Sequence, residues 1–155
     1  MASAEQSTAN GTLATASGVF STASGYIANA AGRGSAAYGA NANAVGDQSV
    51  AVGNSSVAGL QSVAVGRIAS ANAATAVAIG NDAQANEEDA VAIGDIASAG
   101  FHSTAIGGEV TALGTGATAI GAISFLALEA IGGAITLSYG TTNAIIAILV
   151  ASVVM

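Results

Sequence analysis

The sequence predicts an all-β solenoid of short parallel strands, and three observations carry that prediction. Gly11, Gly25, Gly39, Gly53, Gly66, Gly80, Gly94, Gly107 and Gly121 follow one another at intervals of 14, 14, 14, 13, 14, 14, 13 and 14 residues. Two residues before each glycine stands an alanine: Ala9, Ala23, Ala37, Ala51, Ala64, Ala78, Ala92, Ala105 and Ala119. Proline is absent from all 155 residues, so every peptide N–H is free to donate into a continuous ladder. A fixed period of this kind marks a unit that stacks on copies of itself. The hexapeptide QSVAVG, written at 48–53 and again at 61–66, is the plainest instance.

Each unit divides into two halves. The residue before the glycine runs Asn10, Ser24, Tyr38, Val52, Val65, Ile79, Ile93, Ile106 and Ile120, so this column changes from polar to β-branched along the chain. Alternation with a period of two is the strand signature, and no helix of ten residues fits between successive glycines. The second half repeats a pair of alanines two apart, as in Ala14 and Ala16, Ala28 and Ala30, Ala83 and Ala85, followed by a small turn residue such as Gly18, Gly32 or Gly46. Two short strands and two turns therefore make one coil. Parallel stacking at about 4.8 Å gives nine coils a length of roughly 40 Å. The nine glycines are the expected corners, where a positive φ is tolerated. The two 13-residue intervals predict shortened turns, because losing a strand residue would turn every following side chain to the other face.

Alternation also assigns faces. Val50 and Val52 share one side of their strand, and Ser49 and Ala51 the other. An alanine column that never admits a charge reads as a close-packed surface of chain against chain. On that reading the valines fill the roll, the chain assembles laterally, and the nine alanines are the packing column.

Composition limits the partners. Lysine is absent, Arg33 and Arg67 are the only strong bases, and the net charge is −7, which excludes the clustered cations that nucleic acid requires. The same charge argues against docking on an anionic membrane surface. Without cysteine there are no disulfides and no thiolate metal sites. The opening MASAEQSTANG has no basic segment followed by an apolar one, so it does not read as a secretory signal peptide.

The segments QSVAVG, TAVAIGNDAQAN, DAVAIGDIASAG and HSTAIGGEVTALG resemble the head repeats of trimeric autotransporter adhesins, the YadA-like head. The resemblance covers residues 1–121. It implies a left-handed parallel β-roll of about nine 14-residue coils, with three chains around a three-fold axis. Members of that family are surface adhesins, some of which bind matrix proteins, and the same repeat occurs in phage fibres and other structural proteins. No heptad stalk and no set of long amphipathic anchor strands is apparent here. The expectation is therefore a trimeric structural or display protein on a virion surface, as fibre, spike or capsid decoration. The alternative is a bacterial cell-surface adhesin head that binds host matrix proteins or glycans.

Residues 122–155 depart from the pattern and are almost wholly apolar, with Glu129 the one charge. They divide the chain into a repeat domain, 1–121, and a C-terminal segment, 122–155. Three roles fit the segment: a cap on the solenoid end, a docking element buried in a capsid, tail or fibre-base protein, or a membrane anchor. Ala144 to Met155 is too short alone for a spanning helix of about 20 residues. Thr141-Thr142-Asn143 suits a helix N-cap, while the β-branched run from Ile145 suits a strand.

Residues able to carry out catalysis are few. His102 is the sole histidine and precedes the strand at 103–107, an exposed turn position. Asn86-Glu87-Glu88-Asp89 is the one acid cluster; it lacks the spacing of a calcium loop and reads as a solvated turn. There is no nucleophile elbow and no P-loop lysine. The expectations are no catalytic residue, no metal, no cofactor, and hence no enzyme. An ice-binding solenoid needs a regular threonine face. Here Thr8, Thr22, Thr104 and Thr118 are interrupted in their column by Val50, Val63, Val77 and Val91.

Overall fold

A computed structural model describes residues 1–121 and the strands at 124–126 and 135–137. The strands, numbered in chain order, form two parallel sheets. The first holds β1 (Thr8–Asn10), β3 (Thr22–Ser24), β5 (Ala36–Tyr38), β7 (Val50–Val52), β9 (Val63–Val65), β11 (Val77–Ile79), β13 (Val91–Ile93), β15 (Thr104–Ile106), β17 (Thr118–Ile120) and β19 (Ile135–Leu137), side by side in that order. The second holds β2 (Thr15–Ala16), β4 (Asn29–Ala30), β6 (Asn43–Ala44), β8 (Val57–Ala58), β10 (Ser70–Ala71), β12 (Gln84–Ala85), β14 (Ser98–Ala99), β16 (Val110–Ala112) and β18 (Ser124–Leu126). Each odd strand and the even strand after it make one coil. Eight coils, β1–β2 to β15–β16, lie entirely within the described repeat, and β17–β18 begins a ninth. No helix occurs among the described residues. The strands run to two or three residues because turns open at the glycine on one side and just past the second alanine on the other.

Register follows the sequence period. Ala78 lies between Ala64 and Ala92, and Val77 between Val63 and Val91. It survives both 13-residue intervals: Val50 faces Val63, and Val91 faces Thr104. The missing residue comes out of the turn after the even strand, at 58–62 and at 99–103. Backbone bonds run from coil to coil, for example Val77 N donating to Ala90 O at 2.8 Å and Gly80 N to Val65 O at 2.8 Å.

The core overturns one expectation. The alanine column is not a surface of chain against chain. Ala23, Ala37, Ala51, Ala64, Ala78, Ala92 and Ala105 are fully buried within the single chain, Ala119 nearly so, and Ala9 at the end coil partly. They fill the roll together with the even-sheet alanines, such as Ala16, Ala30, Ala85 and Ala99, and with alanines and serines entering from the turns. The valines of the same strands point outward. The reason is volume. Four inward columns converge in a coil of 13 or 14 residues, and the space between the two sheets admits little beyond a methyl or a hydroxymethyl group. Val110 is the one branched side chain among the fully buried residues.

The glycine column answers to two constraints. Gly80 has φ of +138°, which an L side chain rarely adopts. A Cβ there would also lie 2.1 Å from the carbonyl oxygen of Gly94 in the next coil. The corners stack backbone against backbone.

Beyond Gly121, β18 continues the even sheet and β19 the odd one, with Thr136 opposite Ala119. The N-cap at 141–143 and the apolar run 144–155 lie outside the described residues.

Candidate functional site

The lumen is filled with alanine and serine, so function falls to the outside of the roll. Its outward surfaces are chemically distinct. On the odd sheet, strands β7 to β17 present Val50 and Val52, Val63 and Val65, Val77 and Ile79, Val91 and Ile93, Thr104 and Ile106, Thr118 and Ile120. All are partly exposed, Ile79 to 38% and Ile120 to 43%. Six strands at about 4.8 Å make this an uncharged, largely apolar face roughly 24 Å long. Over β1, β3 and β5 the same positions hold Thr8 and Asn10, Thr22 and Ser24, Ala36 and Tyr38, so the face turns polar toward the N-terminus. Contiguous exposed apolar area of this kind marks an interaction surface.

Apart from Val57, the even sheet is polar outward: Thr15, Asn29, Asn43, Ser70, Gln84, Ser98 and Thr111. Like side chains stack, and Asn29 Nδ2 donates to Asn43 Oδ1 at 2.8 Å. Every charged side chain among the described residues sits in a turn, none on a strand.

The turns also carry strain. The third turn residue is left-handed in coil after coil: Leu13, Ile27, Ile68 and Ile96 on one edge, Phe20, Gln48, Gln61, Thr75, Asp89 and His102 on the other, with φ between 52° and 62°. That conformation is uncommon for non-glycine residues and an outlier for β-branched ones. Gly34 and Gly116 take it without cost on the second edge.

The candidate chemistry lies in these turns. His102 is exposed, its Nε2 3.5 Å from Asp89 Oδ2 one coil away, and its ring stacks on Phe101 with centroids 3.9 Å apart. Thr75 Oγ1 donates to Asp89 on the other side. Asn86 to Asp89 form an exposed turn, and among the described residues no three acidic, histidine or cysteine side chains come together that could hold a metal ion. The nine corner glycines, Gly11 to Gly121, all have φ between 127° and 148°. Sequence reasoning missed the left-handed turn residues altogether, since no glycine or asparagine pattern marks them.

The structure thus defines a parallel β-solenoid with an alanine-filled lumen, an apolar outer face and turns that carry all the charged side chains among the described residues. A family model for the YadA head domain repeat matches residues 2–28, 30–56, 58–83, 71–95 and 98–122, and the chain belongs to that family. No curated protein matched it. The YadA head β-roll is a surface-exposed adhesin or structural fold and is not an enzyme family.

Proposed function

We propose that three copies of the chain pack through the outward face of the odd sheet, from β7 to β17, to form a non-enzymatic head displayed on the outside of a virion or a bacterial cell. One observation carries the assembly: twelve outward positions on six adjacent strands hold only valine, isoleucine and threonine, beside an even sheet that is polar. Burying such a face is worth about 25 cal/mol per Å2 of apolar area removed from water. A second copy of the same face is the occupant its chemistry fits, since neither side brings a charge that would have to be desolvated. On this reading the even sheet and the turns face solvent and supply contacts to whatever the head meets, and apolar residues 122–155 cap the assembly or dock it on a capsid, tail or fibre base.

Light scattering after size exclusion tests the assembly. The full chain should run as a trimer, and Ile79→Glu with Ile93→Glu should give a monomer or aggregate. A monomeric wild-type chain would refute the trimer. Mass spectrometry of purified virions and of bacterial surface fractions from the source culture then assigns the carrier. Absence from both would overturn surface display.

A further inference from the structure

Each of the two shortened turns borders a concavity on the outside of the roll, and the two concavities share one chemistry. The first, of about 430 Å3, opens where the turn at 99–103 is one residue short. Gln84, Asn86, Glu87, Ser98, Phe101 and Leu113 line it. The second, of about 500 Å3, borders the short turn at 58–62 and is lined by Phe20, Arg33, Asp47, Gln48, Leu60 and Gln61. Each therefore offers one phenyl ring, one leucine, one carboxylate and two side-chain amides, and the second adds Arg33.

The polar groups are held in place before any ligand arrives. Asn86 Oδ1 accepts from Ser70 Oγ at 2.6 Å and from Asn72 Nδ2 at 3.0 Å, while Asn86 Nδ2 donates to Gln84 Oε1 at 2.8 Å. Gln84 Nε2 donates to Asp82 Oδ1 at 2.7 Å. In the second concavity Gln61 Nε2 donates to Gln48 Oε1 at 3.0 Å, and the Arg33 amide to Asp47 Oδ1 at 2.8 Å. The rings are also placed. Phe101 is 40% exposed and braced flat on His102. Phe20 is half exposed, in the left-handed position shared by the turns of that edge, φ 62°. Gly34 stands next to Phe20 on that edge, and no atom lies within 4 Å of where its Cβ would be, so the second concavity stays open.

We propose that both concavities are binding sites for uncharged saccharides. A pyranose has an apolar C–H face and a rim of hydroxyls. An exposed phenyl ring takes the first, and carboxylate and amide groups take the second, the carboxylate accepting from two hydroxyls at once. Charge narrows the class. The chain carries −7, the first concavity has Glu87 with no cation in its lining, and the second pairs its one cation, Arg33, with one carboxylate, Asp47, so neither lining has the net positive charge that sialylated or sulfated sugars require. The linings are centred between four and five coils apart, or roughly 20 Å, so one extended oligosaccharide or two branches of a glycan reach both. The proposal deepens the surface-display reading and rests on it in needing outward-facing turns.

Calorimetry and saturation-transfer NMR on the full chain test it, with N-acetyl-chitotriose, mannotriose and lactose as neutral probes and sialyllactose as the anionic one. At least one neutral probe should bind. Phe20→Ala or Phe101→Ala should each weaken binding about tenfold, as expected for losing the partial burial of one ring, and the double variant should abolish it. Tyr26→Ala, an exposed tyrosine outside both linings, should change nothing. An alanine inserted between Ala99 and Gly100 restores the 14-residue turn and should remove the first site alone. Glu87→Gln, exposed and isosteric, tests that site with no risk to folding. No neutral binding by folded protein, binding unaltered in the double variant, or preference for sialyllactose would each overturn the proposal. Binding with this profile by a chain that scatters as a monomer would uphold it and refute the trimer.

Discussion

Removing one hydroxyl from the lumen should have opposite effects according to whether it reaches a carbonyl of the next coil. Ser62 and Ser103 close the two shortened turns. Ser62 Oγ lies 2.7 Å from Ala71 O in the next coil and 3.0 Å from Gly59 O; Ser103 Oγ lies 2.6 Å from Ala112 O and 2.8 Å from Gly100 O. A hydroxyl has one proton, so the shorter contact takes most of it. In the first two full-length turns the corresponding carbonyls receive two amides: Ser17 N and Gly18 N both donate to Ala30 O, and Ala31 N and Gly32 N to Ala44 O, whereas Ala58 O receives Val45 N alone. Where a residue is missing, one amide is missing too, leaving Gly59 N on Ala71 O and Gly100 N on Ala112 O. The serine hydroxyl supplies the second donor. Ser21 and Ser35 occupy the same column in full-length turns, and their hydroxyls are buried without a partner, while Ser49, also in a full-length turn, donates to Gly46 O at 2.7 Å within its own turn. Ser62→Ala should therefore cost about 1 kcal/mol, the net worth of a buried hydrogen bond. Ser21→Ala and Ser35→Ala should gain up to about 1 kcal/mol by removing an unpaired buried hydroxyl. For a chain of this size that separates the melting temperatures by roughly 4–8 °C, read by calorimetry at one fixed protein concentration because association shifts the midpoint. Equal shifts for Ser62→Ala and Ser21→Ala would refute the compensation.

Neighbouring positions on one strand should part company. Ala78→Glu puts a charge into the filled lumen and should leave no folded roll by circular dichroism, since an unpaired buried charge costs several kcal/mol. Ile79→Glu, one residue on, should keep the β-sheet signal and lose assembly in light scattering. Gly80→Ala combines a strained φ with a 2.1 Å clash and should lower stability by more than about 2 kcal/mol in a denaturant titration. Ile68→Asn relieves a β-branched residue at φ 61° and should raise the melting temperature slightly, by about 1 kcal/mol or less in stability.

The period, the two strands per coil and the position of the deletions in turns were all legible, because in-register stacking demands them of any sequence that folds this way. The inside and outside of the strand were not. A period of two separates two faces and says nothing about which one is enclosed, and valine is the more apolar candidate for a core. The signal that decides it was present in the variation of size. The column of Asn10, Ser24, Tyr38, Val52 and Ile79 spans serine to tyrosine, which no enclosed space of fixed section accepts. The inward columns hold alanine or serine in nearly every coil, as at Ala14, Ala28, Ser56 and Ala69. A lumen fixes volume, whereas a face toward solvent or a partner fixes only polarity. By that criterion uniform smallness marks the interior even where larger apolar residues stand beside it. The left-handed turns stayed hidden for a related reason. Their geometry is imposed by the coil closing on the one below, so residues as ill-suited as Ile27 and Phe20 are carried into it. What those side chains contribute has to be sought outside the fold, on the surface where they are exposed.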